Sequence, residues 1–184
     1  MKDIEKTIGL GLGKMGSAIG RGLIAGAVGT AAITLSQMIE MQITKREPSD
    51  APSKVGGKAL GVQPRNPEGK QRFSQIMHWG YGTSWGMFRG ILSLAGIKGP
   101  GATAMHFGAV WGTEMVMVPS MTETPPPTQW GAPALGKDAL HHAVYATAAG
   151  LVFDLMDKDY TYEKSDGASD WIGIVADKII NSVK

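Results

Sequence analysis

The chain has 184 residues, enough for one domain with a substantial core. Its net charge of +2 is too small to imply a nucleic-acid partner, and without cysteine it forms no disulfide, iron–sulfur cluster or thiolate zinc site. Glycine is abundant at 26 residues while only 18% of residues are charged, a balance that favours closely packed helices in lipid over a water-soluble bundle.

Residues 1–16 read as a flexible, glycine-bearing lead-in. Gly11, Gly13 and Gly16 match G-x-G-x-x-G, the turn that offers backbone N–H groups to a dinucleotide pyrophosphate. A soluble NAD(P)-dependent oxidoreductase is therefore one alternative. Its context is poor, because the strand before it would hold Lys6 and Gly9 and no strand–helix alternation follows. The first helix is predicted at 17–43. Gly22, Ala25, Gly26, Gly29, Ser36 and Glu40 fall on one side of it, with Ile33 interrupting the stripe. A polar, proline-bearing connector at 44–72 leaves room for a short helix begun by Ser49 or Asp50. The second helix, 73–96, carries a ladder of Gly82, Gly86 and Gly90. A glycine-rich turn leads to the third, 101–120, which carries Gly108 and Gly112 and which Pro119 should end. The fourth, 138–156, contains Gly150 and is expected to be capped by Asp138. An acidic tail at 157–184 should hold an amphipathic helix from near Asp170.

One motif occurs twice with identical spacing: His78-x-x-Tyr81-x-Thr83-x-x-Gly86 and His142-x-x-Tyr145-x-Thr147-x-x-Gly150. Each copy is preceded by an echo, Gly26-Ala27-Val28 and Gly108-Ala109-Val110. Repeats of this kind decide architecture. The expected fold is all-α: a four-helix transmembrane bundle made of two parallel two-helix repeats, 17–97 and 101–156, plus the C-terminal amphipathic helix. Stretches 22–39, 73–88, 99–113 and 139–153 lack Asp, Glu, Lys and Arg. Only the first approaches the roughly 20 apolar residues of a spanning helix. A mean hydropathy of −0.05 is low for a multi-pass protein, and polar connectors contribute to it. Location in the cell (inner) membrane as a multi-pass protein follows as an expectation. The positive-inside rule is silent on its orientation.

The glycines Gly22, Gly26, Gly29, Gly82, Gly86, Gly90, Gly108, Gly112 and Gly150 are expected at helix contacts, and His78, Arg89, His106, Glu114 and His142 as buried polar groups. Arg89 and Glu114 could pair across the second and third helices. His78 and His142, at matching repeat positions, are expected to hydrogen-bond helix neighbours. They also raise haem or metal binding as an alternative, although no cofactor is predicted. Asp138 stands four residues before His142, and the repeat puts Ser74 at the equivalent place, so a symmetric two-histidine site lacks matched carboxylates. No catalytic residues are assigned. The function expected first is a non-enzymatic helix-packing module or subunit of a membrane assembly, with the lipid bilayer and itself or other membrane subunits as partners. Proton or solute handling is the alternative.

Gly22-Leu23-Ile24-Ala25-Gly26, Thr124-Pro125-Pro126-Pro127 and His142 at the opening of the fourth helix resemble the YagU-like bacterial inner-membrane proteins of unassigned function. The resemblance covers about residues 20–156. It implies a small multi-span membrane protein and supplies no catalytic residues. The long basic loop and acidic tail depart from that pattern.

Overall fold

The computed structural model describes residues 2–157 and 181, with side chains from Ile4 onward. The described chain is helical throughout, with no strand. It comprises α1 (Lys2–Thr44), α2 (Ala51–Leu60), α3 (Pro67–Leu94), α4 (Gly99–Met121) and α5 (Ala132–Asp157), with a 3-10 turn at Pro127–Gln129. The amphipathic helix expected near Asp170 lies outside the described residues.

Helix α1 is the structural spine and packs along both α3 and α5, while α4 rests mainly on α5. The four long helices alternate in direction. Lys137 in the second turn of α5 reaches Glu40 near the end of α1 (3.2 Å), and Lys98 before α4 reaches Asp157 at the end of α5 (3.2 Å). Ala18, Gly22, Ala25, Gly26, Gly29, Thr30 and Ile33 of α1 are buried, the i, i+3, i+4 spacing of one helix face. Ile33 does not break this face; it packs with Val110, Tyr145 and Ala146.

The glycine ladder brings backbones together. A Cβ built on Gly26 would lie 2.9 Å from Gly86 Cα, and one on Gly22 would lie 3.0 Å from the Gly86 carbonyl carbon. Gly90 faces the Ala18 backbone, Gly82 the Thr30 side chain, Gly29 the Tyr145 ring and Gly150 the Thr103 side chain. Gly108 and Gly112 depart from expectation, since nothing lies within 4 Å of a Cβ at either. They line an outward groove along α4 with Val116 and Ser120.

Several boundaries move for local reasons. Residues 2–16, expected as a flexible lead-in, are helix and continue into α1. Gly11, Gly13 and Gly16 therefore sit on a helix with no strand before them, and the dinucleotide-binding reading loses its strand–turn–helix frame. Helix α3 starts at Pro67 because Asn66 accepts from the Gly69 N–H (2.7 Å) and Pro67 suits the first helical position. Pro119 does not end α4. It removes only its own N–H, and the helix closes at Thr122, whose N–H and hydroxyl both donate to the Val118 carbonyl (2.9 and 2.7 Å). Asp138 is not a cap, because α5 begins six residues earlier.

Helix α2 folds back against α3. Gly56 lies against Met77, and Lys58 donates to the Ser120 carbonyl (3.3 Å). Asp50 at its start meets Lys54 and Lys70, both at 3.1 Å. Partial burial pushes the Asp50 carboxyl up, but hydrogen bonds and charge from Lys70 and Lys54 outweigh it and hold it below the ordinary aspartate range. A folded-state value below the unfolded one, about 3.9, means the contribution is present above that pH and is lost as pH falls through it. Asp50→Asn should therefore lower the melting temperature at pH 7, and the difference should fade as pH is taken below about 3.9. An equal difference at pH 7 and pH 3 would refute the assignment.

Candidate functional site

The bundle interior sets charged and polar side chains among its apolar ones. Arg89 and His106 are fully buried, and both stand among the four largest fully buried side chains, with Phe153 and Thr30. Two polar centres lie on α5, twelve residues apart, or about 18 Å along the helix.

The first centre joins α4 and α5. His142, 8% exposed, has Nδ1 at 2.9 Å from the Asp138 carbonyl and Nε2 at 2.5 Å from Glu114 Oε2. A carbonyl only accepts, so Nδ1 carries a proton. Glu114 Oε2 is buried and makes no aligned hydrogen bond, so its approach to Nε2 is a charge contact. Asp138 accepts from the Trp111 indole N–H at 2.8 Å. Ligand atoms of Glu114, Asp138 and His142 lie within 4.8 Å of one another. His78 stands within electrostatic reach of Glu114 and His142. Its Nε2 lies 3.0 Å from Thr34 Oγ1, whose own proton goes to the Thr30 carbonyl (2.7 Å), so His78 donates. His141 Nδ1 bonds Ser36 Oγ at 2.8 Å.

The second centre lies at the opposite end. Arg89 pairs with Asp154, and its guanidinium carbon sits 4.9 Å from the Phe153 ring centroid. Asp157 gathers Arg21 (3.1 Å), Lys98 (3.2 Å) and the Ser93 hydroxyl (3.1 Å). Between the centres, Tyr145 donates to the Gly82 carbonyl (2.6 Å) and His106 Nε2 to the Trp85 carbonyl (3.1 Å). These bonds tie α4 and α5 to α3.

The expected Arg89–Glu114 pair does not form. Arg89 is five residues from the end of α3 and Glu114 fifteen from the start of α4. At 1.5 Å per residue their depths differ by about 15 Å. Arg89, His106 and His142 are buried as expected, while Glu114 and His78 are half-buried. His78 bonds a helix neighbour; His142 bonds its own helix and touches Glu114. Sequence reasoning missed Asp157, assigned to the tail but buried at the end of α5, and the Trp111–Asp138 bond. The four-residue spacing of Asp138 and His142, absent from the first repeat, was the available signal.

Comparison with protein-family models, curated proteins and solved structures gives no match to this chain.

Proposed function

We propose that this chain is an integral membrane protein whose four long helices cross the bilayer, acting as a non-enzymatic packing module or subunit of a membrane assembly. The observation that carries this is polarity turned inside out. Leu35, Ile39 and Ile43 of α1, Ile91 of α3, Val116 of α4 and Leu151 and Leu155 of α5 are exposed, while Arg89, His106, His141 and His142 are buried. In water such an arrangement wastes apolar burial and costs desolvation; in lipid it satisfies both faces.

Length supports the same reading. Helices α3, α4 and α5 have 28, 23 and 26 residues, about 42, 34 and 39 Å against a hydrocarbon core of about 30 Å. By composition, α1 is the one described helix apolar enough to cross alone. The others would cross with their polar groups turned to the bundle. Two parallel repeats, α1 with α3 and α4 with α5, belong to the same proposal. Support from packing is partial: Gly86 and its counterpart Gly150 each meet the other helix of their pair, at Gly22 and Thr103, while Gly26 is packed on Gly86 and its counterpart Gly108 is open. The likeness to YagU-like inner-membrane proteins fits here. The open Gly108–Gly112 groove supports assembly with another membrane helix. The Glu114–His142 contact favours a second reading, in which the interior holds a proton or cation.

The protein should stay in the membrane pellet after an alkaline carbonate wash. Absence of native cysteine allows a finer test by single-cysteine labelling. Lys58→Cys and Thr128→Cys should react from one side of the membrane and Lys98→Cys from the other. Release into the supernatant, or labelling of all three from one side, would overturn the four-span reading.

A further inference from the structure

We infer that Glu114, Asp138 and His142 bind one divalent first-row metal ion, of the manganese, iron or zinc kind, between α4 and α5. The contact between Glu114 Oε2 and His142 Nε2 is the starting point. Nδ1 of His142 already carries a proton for the Asp138 carbonyl. In the neutral ring Nε2 is then an acceptor, and it stands 2.5 Å from a carboxylate oxygen that is also an acceptor. Two acceptors at that distance need a positive charge between or on them.

A proton on Nε2 answers only half of this. One imidazolium would face two carboxylates, Glu114 and Asp138, whose ion pairs among the described residues are to His142 alone. A net negative charge would remain at the α4–α5 contact, which the Trp111 indole N–H and the partial exposure of the two carboxylates offset only in part. A divalent cation with a neutral imidazole cancels both carboxylates. The supports a metal ligand set needs are present as well. The imidazole is oriented by a backbone carbonyl through its other nitrogen, and one carboxylate is held by the Trp111 indole. One nitrogen and two oxygen donors suit manganese, iron or zinc better than copper(I). Metal–ligand bonds of about 2.0–2.2 Å put ligand atoms about 3.4 Å apart in a tetrahedral site. All three donors already lie within 4.8 Å of one another, so the Glu114–His142 contact opens by only about 1 Å.

The site does not depend on the membrane reading, because purified full-length chain is tested whether it comes from the membrane or not. Titration with Zn2+ and with Mn2+ should give one ion per chain. Glu114→Gln and His142→Gln should weaken binding at least 100-fold. Trp111→Phe keeps every ligand and should weaken it about 10–100-fold; it also covers the case in which His142→Gln fails to fold. His141→Gln, which removes the Ser36 bond and keeps all three ligands, should leave affinity unchanged. In 15N NMR spectra, His142 Nε2 should shift on adding Zn2+ while Nδ1 stays protonated. No binding at millimolar metal, equal binding by Glu114→Gln, or a doubly protonated His142 ring indifferent to Zn2+ would overturn the inference.

Discussion

Replacing Gly86 with leucine should break the contact between α1 and α3, whereas the same change at Gly108 should leave the bundle intact. Both glycines stand in GxxxG ladders, yet their surroundings differ. A Cβ on Gly86 would meet Gly26 N at 2.6 Å and Gly26 Cα at 2.7 Å, both backbone atoms that cannot rotate away. The helices would have to separate along the whole line where Ala18, Gly22 and Gly26 meet Gly90 and Gly86. Overpacking by one methyl group in a rigid core costs about 1–3 kcal/mol, and more where backbone must move. Gly86→Ala should therefore cost about 3 kcal/mol, and Gly86→Leu should yield no stable fold. At Gly108 a Cβ meets open space, and only helix propensity changes, by about 1 kcal/mol in favour of a side chain. Thermal melting of the purified chain is the measurement. A Gly86→Leu variant that melts with the wild type would sink the close-packing account. A collapsed Gly108→Leu would show that the α4 groove is filled in the assembled protein.

That contrast marks where the sequence was legible. A glycine ladder states that a close approach is possible, but not whether a partner comes. On α1 the stripe from Gly22 to Gly29 was readable because it spans about two turns and is followed on the same side by polar residues that also find partners, Ser36 with His141 and Glu40 with Lys137. Helix existence was readable for the four long elements. Their ends were not, because Asn66 and the turn before Ala132 start helices inside segments whose composition reads as loop. Burial of His106 followed from its place within an apolar stretch, and that of Arg89 from its place at the end of one. The partners did not follow, since pairing depends on depth along antiparallel helices, and Arg89 finds Asp154 on α5 where Glu114 on α4 was expected. Asp138 shows the same limit. Read as a helix start it was a cap; six residues inside α5 its carboxylate turns to Trp111 and joins His142.

Asp154→Ala should be the most damaging charge substitution, and Arg89→Met should relieve it. Arg89 is fully buried, and Asp154, about one-third exposed, is its salt-bridge partner. Two of its nitrogens, Nε and Nη1, have no hydrogen-bond acceptor. The Phe153 ring supplies a further cation–π contact at 4.9 Å. Removing Asp154 leaves the guanidinium buried without its salt-bridge partner, a loss of about 3–5 kcal/mol in comparable buried pairs. The partial exposure of Asp154 puts the expected cost near the lower end, about 3 kcal/mol. Arg89→Met is milder, because the partly exposed Asp154 carboxylate at the edge of the bundle can reach water while methionine fills the cavity with apolar atoms. The double variant should then be more stable than Asp154→Ala alone, and a double-mutant cycle should give a coupling of about 2 kcal/mol. Unfolding of the four proteins under identical conditions supplies the cycle. If Asp154→Ala costs under about 1 kcal/mol, or the double variant is no better than the single one, Asp154 is not what holds the Arg89 charge inside the bundle.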